Sequence, residues 1–179
     1  MKKVNKKLVW VVCGFFLLLW GCATVTTKDI KITTKADPKA QLSGYKSYAW
    51  LGAAAILHDK EGRWKPLDFD ADVEIKFLID RELRKRGMSE NSSSPDLIVA
   101  FALGVDMEAL DLKVNPETKM EVLENVPQGA LLIGLIDSQT GLIIWAGAAN
   151  AEVLENSDTQ TAKARLDYAV TKMLKQLPK

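Results

Sequence analysis

The chain has 179 residues, with 24 Lys and Arg, 23 Asp and Glu, and a single His. This length suits one domain with its own core, and the balanced charge argues against nucleic-acid binding, which needs a concentrated basic surface. Both cysteines, Cys13 and Cys22, lie in the first 22 residues. The rest of the chain therefore has no disulfide, thiolate metal site or cysteine nucleophile.

The beginning of the chain has the pattern of an export signal. Four lysines in Met1–Lys7 precede an apolar run from Leu8 to Trp20. The run is about thirteen residues long, which is too short for a helix that spans a bilayer. We therefore predict that residues 1–21 are a signal peptide that is removed after export.

Cys22 ends the tetrapeptide Leu19-Trp20-Gly21-Cys22, which resembles the bacterial lipobox. Leu19 and Gly21 match that pattern, whereas Trp20 stands where a small residue is usual. The resemblance implies that Cys22 becomes the first residue of the mature chain and carries a diacylglyceryl group. Ala23 is not the aspartate associated with inner-membrane retention, so the outer membrane is the expected location. The alternative is a secreted protein with Cys22 near its cut site by chance.

The mature chain is slightly acidic and has one domain. Removing the four signal lysines from the 24 basic residues leaves 20, against 23 acidic residues. Residues 22–29 are mostly small and polar and predict a tether, and residues 30–179 form the domain. Alternation in Val25–Thr34 predicts a first strand, and the aromatic-rich segment Tyr45–Leu51 predicts a second. Gly52–Leu67 is predicted to be a loop with one short helical turn.

A helix is predicted from Asp68 or Asp70 to about Arg86, because aspartates favour a helix start and Gly87 favours its end. Its main apolar face contains Ala71, Ile75, Leu78, Ile79 and Leu83.

The same helix has two further features of interest. Val73 and Phe77 fall on the side opposite the main apolar face, which favours packing under the preceding loop; a protein partner is the alternative. The basic patch Arg81–Arg86 is interpreted as a helix C-terminus that complements its own dipole. Contact with lipid headgroups or an acidic partner is the alternative there.

The second half predicts one buried strand, two hairpins and a final helix. The buried strand is apolar on both faces, which is typical of a central, fully covered position. In chain order the elements are the loop 91–95, the strand 96–106, the hairpins 110–123 and 129–150, and the helix 157–177. The order β-β-α-β-β-β-β-β-α predicts an α+β fold: a mostly antiparallel sheet of six to seven strands with two helices packed on one face.

Few residues suggest catalysis. His58 has only Asp59 beside it, and neighbouring side chains rarely form a proton relay. Asp68-Phe-Asp70-Ala-Asp72 resembles the opening of a calcium loop, but Val73 and Ile79 occupy the positions that need glycine and glutamate. These aspartates are better explained as a helix cap.

Other site motifs are missing from the sequence. It contains no glycine-rich phosphate loop, no nucleophile elbow and no His/Cys cluster. We therefore predict no metal, no cofactor, no catalytic residue and no enzymatic activity. A pair of carboxylates facing a cleft, as in glycosidases, stays open as an alternative.

The aromatic residues could line a groove for glycan or lipid. Trp50 and Trp145 lie in predicted strands, so we expect them to pack in the core; Tyr45 and Tyr48 are also candidates for such a groove. Trp64 lies in a polar loop and is the best candidate for a surface contact with a ligand.

Several segments together resemble a family of bacterial lipoproteins catalogued as domain of unknown function 4136. They are Gly44–Leu51, Leu83–Met88, Pro95–Val99, Gly129–Gly147 and the closing Leu177-Pro178. The family has no established activity, so the resemblance implies the fold and the location and transfers no catalytic residue.

These observations predict a periplasmic lipoprotein of the outer membrane with a non-enzymatic binding or structural role in the cell envelope. Its predicted partners are the membrane, through Cys22, and an envelope protein, without nucleic acid; the oligomeric state stays open. One alternative is a lipid- or glycan-binding accessory subunit of an envelope transport or assembly system, acting through Trp64. Another is a carboxylate-dependent hydrolase.

Overall fold

A computed structural model describes residues 25–57, 68–106, 110–114, 121–125, 128–154 and 157–178. Cys22, His58 and Trp64 lie outside these ranges, so the interpretations given to them stay predictions.

The described chain forms eight strands and two helices, and a 3-10 turn at Leu42–Gly44 separates the first two strands. In chain order the elements are β1 (Lys31–Ala36), β2 (Ser47–Leu57), α1 (Ala71–Arg84), β3 (Ser89–Glu90), β4 (Leu97–Asp106), β5 (Leu110–Val114), β6 (Glu121–Asn125), β7 (Gln128–Asp137), β8 (Ile143–Glu152) and α2 (Thr159–Lys175).

Six of these strands form one sheet in the order β1-β8-β7-β4-β2-β3, and β5 and β6 form a separate antiparallel pair. β2 pairs in parallel with β4 and β3, while the other pairs are antiparallel. Helix α1 lies between β2 and β4 in the sequence. It brings the polypeptide back to the end of the sheet where β2 starts, so β2 and β4 run in the same direction. The α+β prediction is confirmed, with a mixed sheet.

Both helices pack on one face of the sheet, as predicted. On β4, Leu97, Val99 and Phe101 are at most 7% exposed. Their cross-strand neighbours and the inner faces of the helices complete the core: Ile75, Leu78, Ile79, Leu83, Leu131, Ile133, Leu135, Trp145, Ala149, Val170, Met173 and Leu174. The alternate residues of β4, such as Ile98 and Ala100, are only half-buried. The prediction that β4 is fully covered on both faces is therefore wrong.

Strand β2 continues through the segment predicted to be a loop, so that prediction is wrong for Gly52–Leu57. The register with β4 shifts between Trp50 and Gly52, and the intervening Leu51 is 68% exposed. Gly52 has φ +119°, a conformation that other residues rarely adopt, and it allows this β-bulge. The alanines that follow have little β preference of their own, and pairing with β4 keeps them extended.

The predicted helix ends and turns are largely confirmed. Asp70 caps α1 by accepting a hydrogen bond from the Val73 amide at 3.2 Å, which confirms the cap interpretation. Asp72, the third aspartate of the segment that resembles a calcium loop, pairs with Lys76 at 2.8 Å. Helix α1 ends at Arg84, slightly earlier than predicted, and Gly87 follows with φ +78°.

The strands after the central one also agree with the predicted hairpins. Asp137 and Gly141 close the turn between β7 and β8, with Gly141 at φ +71°. The pairing of β5 with β6 matches the other predicted hairpin, although this pair does not join the main sheet. β1 begins at Lys31, later than the predicted start at Val25.

The register gives the sheet two distinct ends. At one end β1 and β7 begin and β4 and β8 finish, with Lys31 opposite Asn150 and Gln128 opposite both Asp106 and Glu152. We call this the tether end, because the N-terminal chain enters there. The other end, where β2, β4 and β8 begin, is called the motif end.

Candidate functional site

Arg165 of α2 binds the chain that leads into β1. Its Nη1 and Nη2 donate to the two carboxylate oxygens of Asp29 at 2.9 and 2.5 Å. The same guanidinium donates to the backbone oxygen of Thr26 and, at 3.2 Å, to that of Glu152. Only 9% of Arg165 is exposed. A bidentate ion pair of this kind fixes both side chains in position.

Asp29 joins three segments through this ion pair. Besides its contact with Arg165, its carboxylate accepts from the Glu152 amide at 3.1 Å. The hydrogen bonds from Arg165 hold the pKa of Asp29 below its usual value. The described part of the predicted tether is thus attached to both the end of β8 and α2.

Sequence reasoning missed this pair. The one available signal is that Arg165 lies on the apolar stripe of α2, near Ala162 and Ala169, where an unpaired charge would be costly. Asp29 could not be identified as its partner, because 136 residues separate the two.

An apolar cavity of about 140 Å³ lies beside the ion pair, between the sheet and the first half of α2. Its walls are mostly aliphatic and include Ile30, Leu103, Leu131, Ala149, Ala162 and Leu166. Arg165 and Glu152 lie at its border. The cavity therefore begins where the N-terminal chain enters the domain.

At the motif end, Asp96 binds the start of β2. One of its carboxylate oxygens accepts from the amides of Lys46 and Ser47, at 2.7 and 2.9 Å, and from the Ser47 hydroxyl at 3.0 Å. The backbone donors lower the pKa of Asp96. This arrangement ties together two of the segments that carry the family resemblance.

Asp137 forms a second carboxylate centre at the same end. It accepts the Tyr45 hydroxyl at 2.7 Å and the Thr140 amide and hydroxyl at 2.7 and 2.8 Å. These bonds lower the pKa of Asp137 to about 2, and the contact with Asp137 raises the pKa of Tyr45 to about 12. Asp96 and Asp137 thus stabilise loops, since their hydrogen bonds run to neighbouring chain segments.

The described residues do not place a pair of carboxylates at either of two cavities. The apolar cavity has one acidic residue, Glu152, at its border. A second cavity of about 260 Å³, at the motif end, has Tyr45, Lys46 and Arg86 among its lining residues, and none of the described residues that line it is a carboxylate. Within the described ranges, no group of three or more His, Cys, Asp or Glu side chains could hold a metal ion.

The basic patch Arg81–Arg86 connects the two helices. Arg81 donates to Asp167 at 2.5 Å and to Thr171 at 2.8 Å, and it lowers the pKa of Asp167. Arg86 donates to the carbonyl oxygens of Leu174 and Leu177, both at 3.0 Å. Arg86 therefore caps the C-terminus of α2, while Arg81 and Arg84 lie in the last turn of α1, as the interpretation of the patch predicts.

The expected core tryptophans are confirmed. Trp145 is 1% exposed, and Trp50 packs edge-to-face against Tyr48 and Phe101. The Trp145 indole lies over Gly147: a Cβ added to Gly147 would come within 2.6 Å of the ring. This close approach explains why glycine follows the tryptophan by two residues in the segment that carries the family resemblance.

Val73 and Phe77 remain open to solvent, at 60% and 61% exposure. Most of the loop expected to cover them, residues 58–67, lies outside the described ranges, so that expectation stays a prediction. Two adjacent apolar side chains on the outer face of α1 leave the alternative, a protein partner, in place.

No helix in the described part of the chain is long and apolar enough to cross a membrane.

The structure is thus an α+β domain in which two helices cover one face of a mixed sheet. The chain belongs to the family described as "Domain of unknown function (DUF4136)", whose model matches residues 32–179. No curated protein matches the chain.

Solved structures share the fold. A DUF4136 family protein from Bacteroides thetaiotaomicron has a TM-score of 0.54 at 10% identity, with 83% of this chain and 95% of that chain covered. The PelC dodecamer from Paraburkholderia phytofirmans has 0.51 at 15%, covering 83% and 99%. A PDZ domain protein from Parabacteroides distasonis has 0.50 at 19%, where 84% of this chain spans only 36% of that chain. At these identities the likeness concerns the fold alone.

Proposed function

We propose that this protein is a lipoprotein of the bacterial outer membrane, acylated at Cys22, with its domain on the periplasmic side. Its role there is non-enzymatic, as a binding or structural component of the envelope. The export signal pattern and the lipobox-like tetrapeptide ending in Cys22 support the anchor. Several acyl chains would exceed the two membrane signals that stable anchoring needs.

The observation that carries this proposal is the attachment of the N-terminal chain to the domain through Arg165. Cys22 precedes Thr26 by four residues, so about 14 Å of extended chain at most connects the lipid to a fixed point. Such a short connection would hold the tether end towards the bilayer and the motif end away from it. The domain would then be presented in one orientation.

The chain supplies a matched pair of variants to test the anchor. Cys22→Ala should release the protein from the membrane fraction and remove the lipid mass from the mature N-terminal peptide. Cys13→Ala, which changes a cysteine inside the signal segment, should leave both unchanged. Membrane fractionation and mass spectrometry of the protein from native envelopes provide the measurements. An unmodified Cys22 in the wild type would contradict the proposal.

A second candidate function is lipid binding through Trp64, as an accessory subunit in envelope transport or assembly. Leu57 ends β2 and Asp68 precedes α1, so the segment that contains Trp64 starts and finishes at the tether end. This position favours lipid over glycan as the ligand. Trp64→Phe should abolish a tryptophan emission shift on phospholipid vesicles, whereas Trp50→Phe should preserve it. A shift with muropeptides alone would favour glycan.

A protein partner is also part of the proposal. The exposed pair Val73 and Phe77 on α1 is the surface that supports it, since both side chains are about 60% exposed. Phe77→Ser should weaken capture of an envelope partner by the lipidated protein without a loss of stability. Capture at wild-type yield would remove this surface from consideration.

A further inference from the structure

The apolar cavity at the tether end is chemically suited to an alkyl chain. Ala, Leu, Ile and Val side chains form most of its wall. Its bordering cation, Arg165, is already paired with Asp29. A sugar or a free carboxylate would lose hydrogen bonds to water in such a site and find few donors or acceptors among the described residues to replace them.

The size of the cavity sets the length of chain that fits. Its volume is about 140 Å³, close to that of an engineered cavity of about 150 Å³ that binds benzene. It therefore has room for a segment of roughly six carbons, the end of an acyl chain. The opening is bordered by Leu154, which is 38% exposed.

The position of the cavity indicates the source of that chain. Ile30 belongs to its wall, and Arg165 at its border holds Thr26 and Asp29. The polypeptide from Cys22 to Thr26 can span at most about 14 Å. A lipid carried by Cys22 therefore lies no further from Thr26 than a distance comparable to the length of its own acyl chain.

We propose that this cavity binds one acyl chain of the lipid attached to Cys22. The proposal rests on the acylation of Cys22 put forward above. Inside a bilayer the exchange gains little, because the chain is surrounded by hydrocarbon in either place. In water the cavity removes apolar surface from solvent, so it shields the end of the chain while the lipoprotein passes between two membranes.

Helix α2 offers a matched pair of substitutions. Ala162→Leu places three more carbons in the cavity wall, on a helix that accepts leucine readily. Ala164→Leu makes the same change two residues later, at a half-buried position that is not among the cavity-lining residues. Thermal unfolding establishes that both variants are folded.

Photocrosslinking of the full-length lipoprotein tests the proposal. Cells fed a diazirine fatty acid incorporate it at Cys22, and the purified protein is freed of detergent, irradiated in water and digested. Crosslinks from the acyl chain should fall on residues 149–154 and 162–169 of the same molecule. Ala162→Leu should reduce their yield at least fivefold, and Ala164→Leu should leave it unchanged.

Each other outcome has a defined meaning. Lipid mass at Cys22 without cavity crosslinks, or equal yields in the two variants, overturns the proposed occupant and leaves the anchor intact. A Cys22 peptide without lipid mass overturns both proposals. Crosslinks between two molecules, or crosslinks formed only when free diazirine fatty acid is added to unlabelled protein, also overturn the assignment to the protein's own lipid.

Discussion

The two ends of the sheet are held together by different kinds of contact. At the motif end, Asp96 and Asp137 accept hydrogen bonds from backbone amides and hydroxyl groups, and the participating segments carry the family resemblance. At the tether end, Arg165 and Asp29 join distant parts of the chain beside an apolar cavity. The motifs that carry the family resemblance thus stabilise loops, whereas the contacts that support the proposed membrane orientation lie at the opposite end.

A substitution at the tether end should destabilise the fold most. Arg165→Met keeps much of the aliphatic stem but leaves the Asp29 carboxylate and two backbone carbonyls without their donor. Removing one partner of a largely buried ion pair should lower the free energy of unfolding by about 3 kcal/mol. Urea unfolding followed by circular dichroism measures this loss.

Lys172→Met is the control for Arg165→Met, since Lys172 is an exposed cation on the same helix. Its substitution should change the free energy of unfolding by less than about 0.5 kcal/mol. Equal effects of the two variants would mean that the tether contact contributes no specific stability.

A substitution in β8, between the two ends of the sheet, should cause a somewhat smaller loss of stability. In Gly147→Ala the new Cβ would lie 2.6 Å from the Trp145 ring, which is buried and cannot move freely. Overpacking of this kind should cost about 2 kcal/mol. Gly134→Ala on β7 is the control, because nothing lies within 4 Å of its added Cβ. Differential scanning calorimetry should show a lower Tm for Gly147→Ala alone.

At the motif end, we expect that removing a single carboxylate lowers the free energy of unfolding by a smaller amount. Asp96→Ala removes the acceptor for the amides of Lys46 and Ser47, and the free energy of unfolding should fall by about 1 kcal/mol. Asp68→Ala, at an exposed position before α1, should be neutral. Chemical denaturation of both variants gives the comparison, and an equal loss would remove Asp96 from the account of this end.

The smallest effect is a change in the pH dependence of stability. The pKa of Asp137 is lowered to about 2 in the folded protein, so its contribution is present above pH 4 and disappears as the pH falls towards 2. The pKa of Tyr45 is raised to about 12, so its contribution is present below pH 10 and disappears between pH 10 and 12.

Tyr45→Phe removes the bond between these two groups. Both pH-dependent losses should become smaller, while the Tyr48 hydroxyl, whose pKa is also raised, preserves part of the alkaline loss. Tm measured from pH 2 to 12 follows the change, with Tyr168→Phe as the control. If Tm falls as much in Tyr45→Phe as in the wild type at both acid and alkaline pH, this hydrogen bond does not stabilise the fold in solution.

Much of the fold follows from local patterns, and the exceptions have physical causes. The periodicity of α1 and α2, the cap at Asp70 and the turn at Gly141 are encoded within a few residues each, and all were predictable. The second half of β2 was not, because its alanines are extended only through pairing with β4. The ion pair of Arg165 with Asp29 and the cavity beside it arise from contacts between distant segments, which a single sequence does not reveal.

The proposed orientation of the domain on the membrane can be measured with a fluorophore placed at either end of the sheet. With Cys22 acylated, the mature chain has no other thiol, so a fluorophore can be attached to Lys28→Cys at the tether end or to Gln139→Cys at the motif end. In vesicles containing brominated lipid, we predict strong quenching at position 28 and little at position 139. Equal quenching at the two positions, or stronger quenching at position 139, would contradict an orientation in which the tether end faces the membrane.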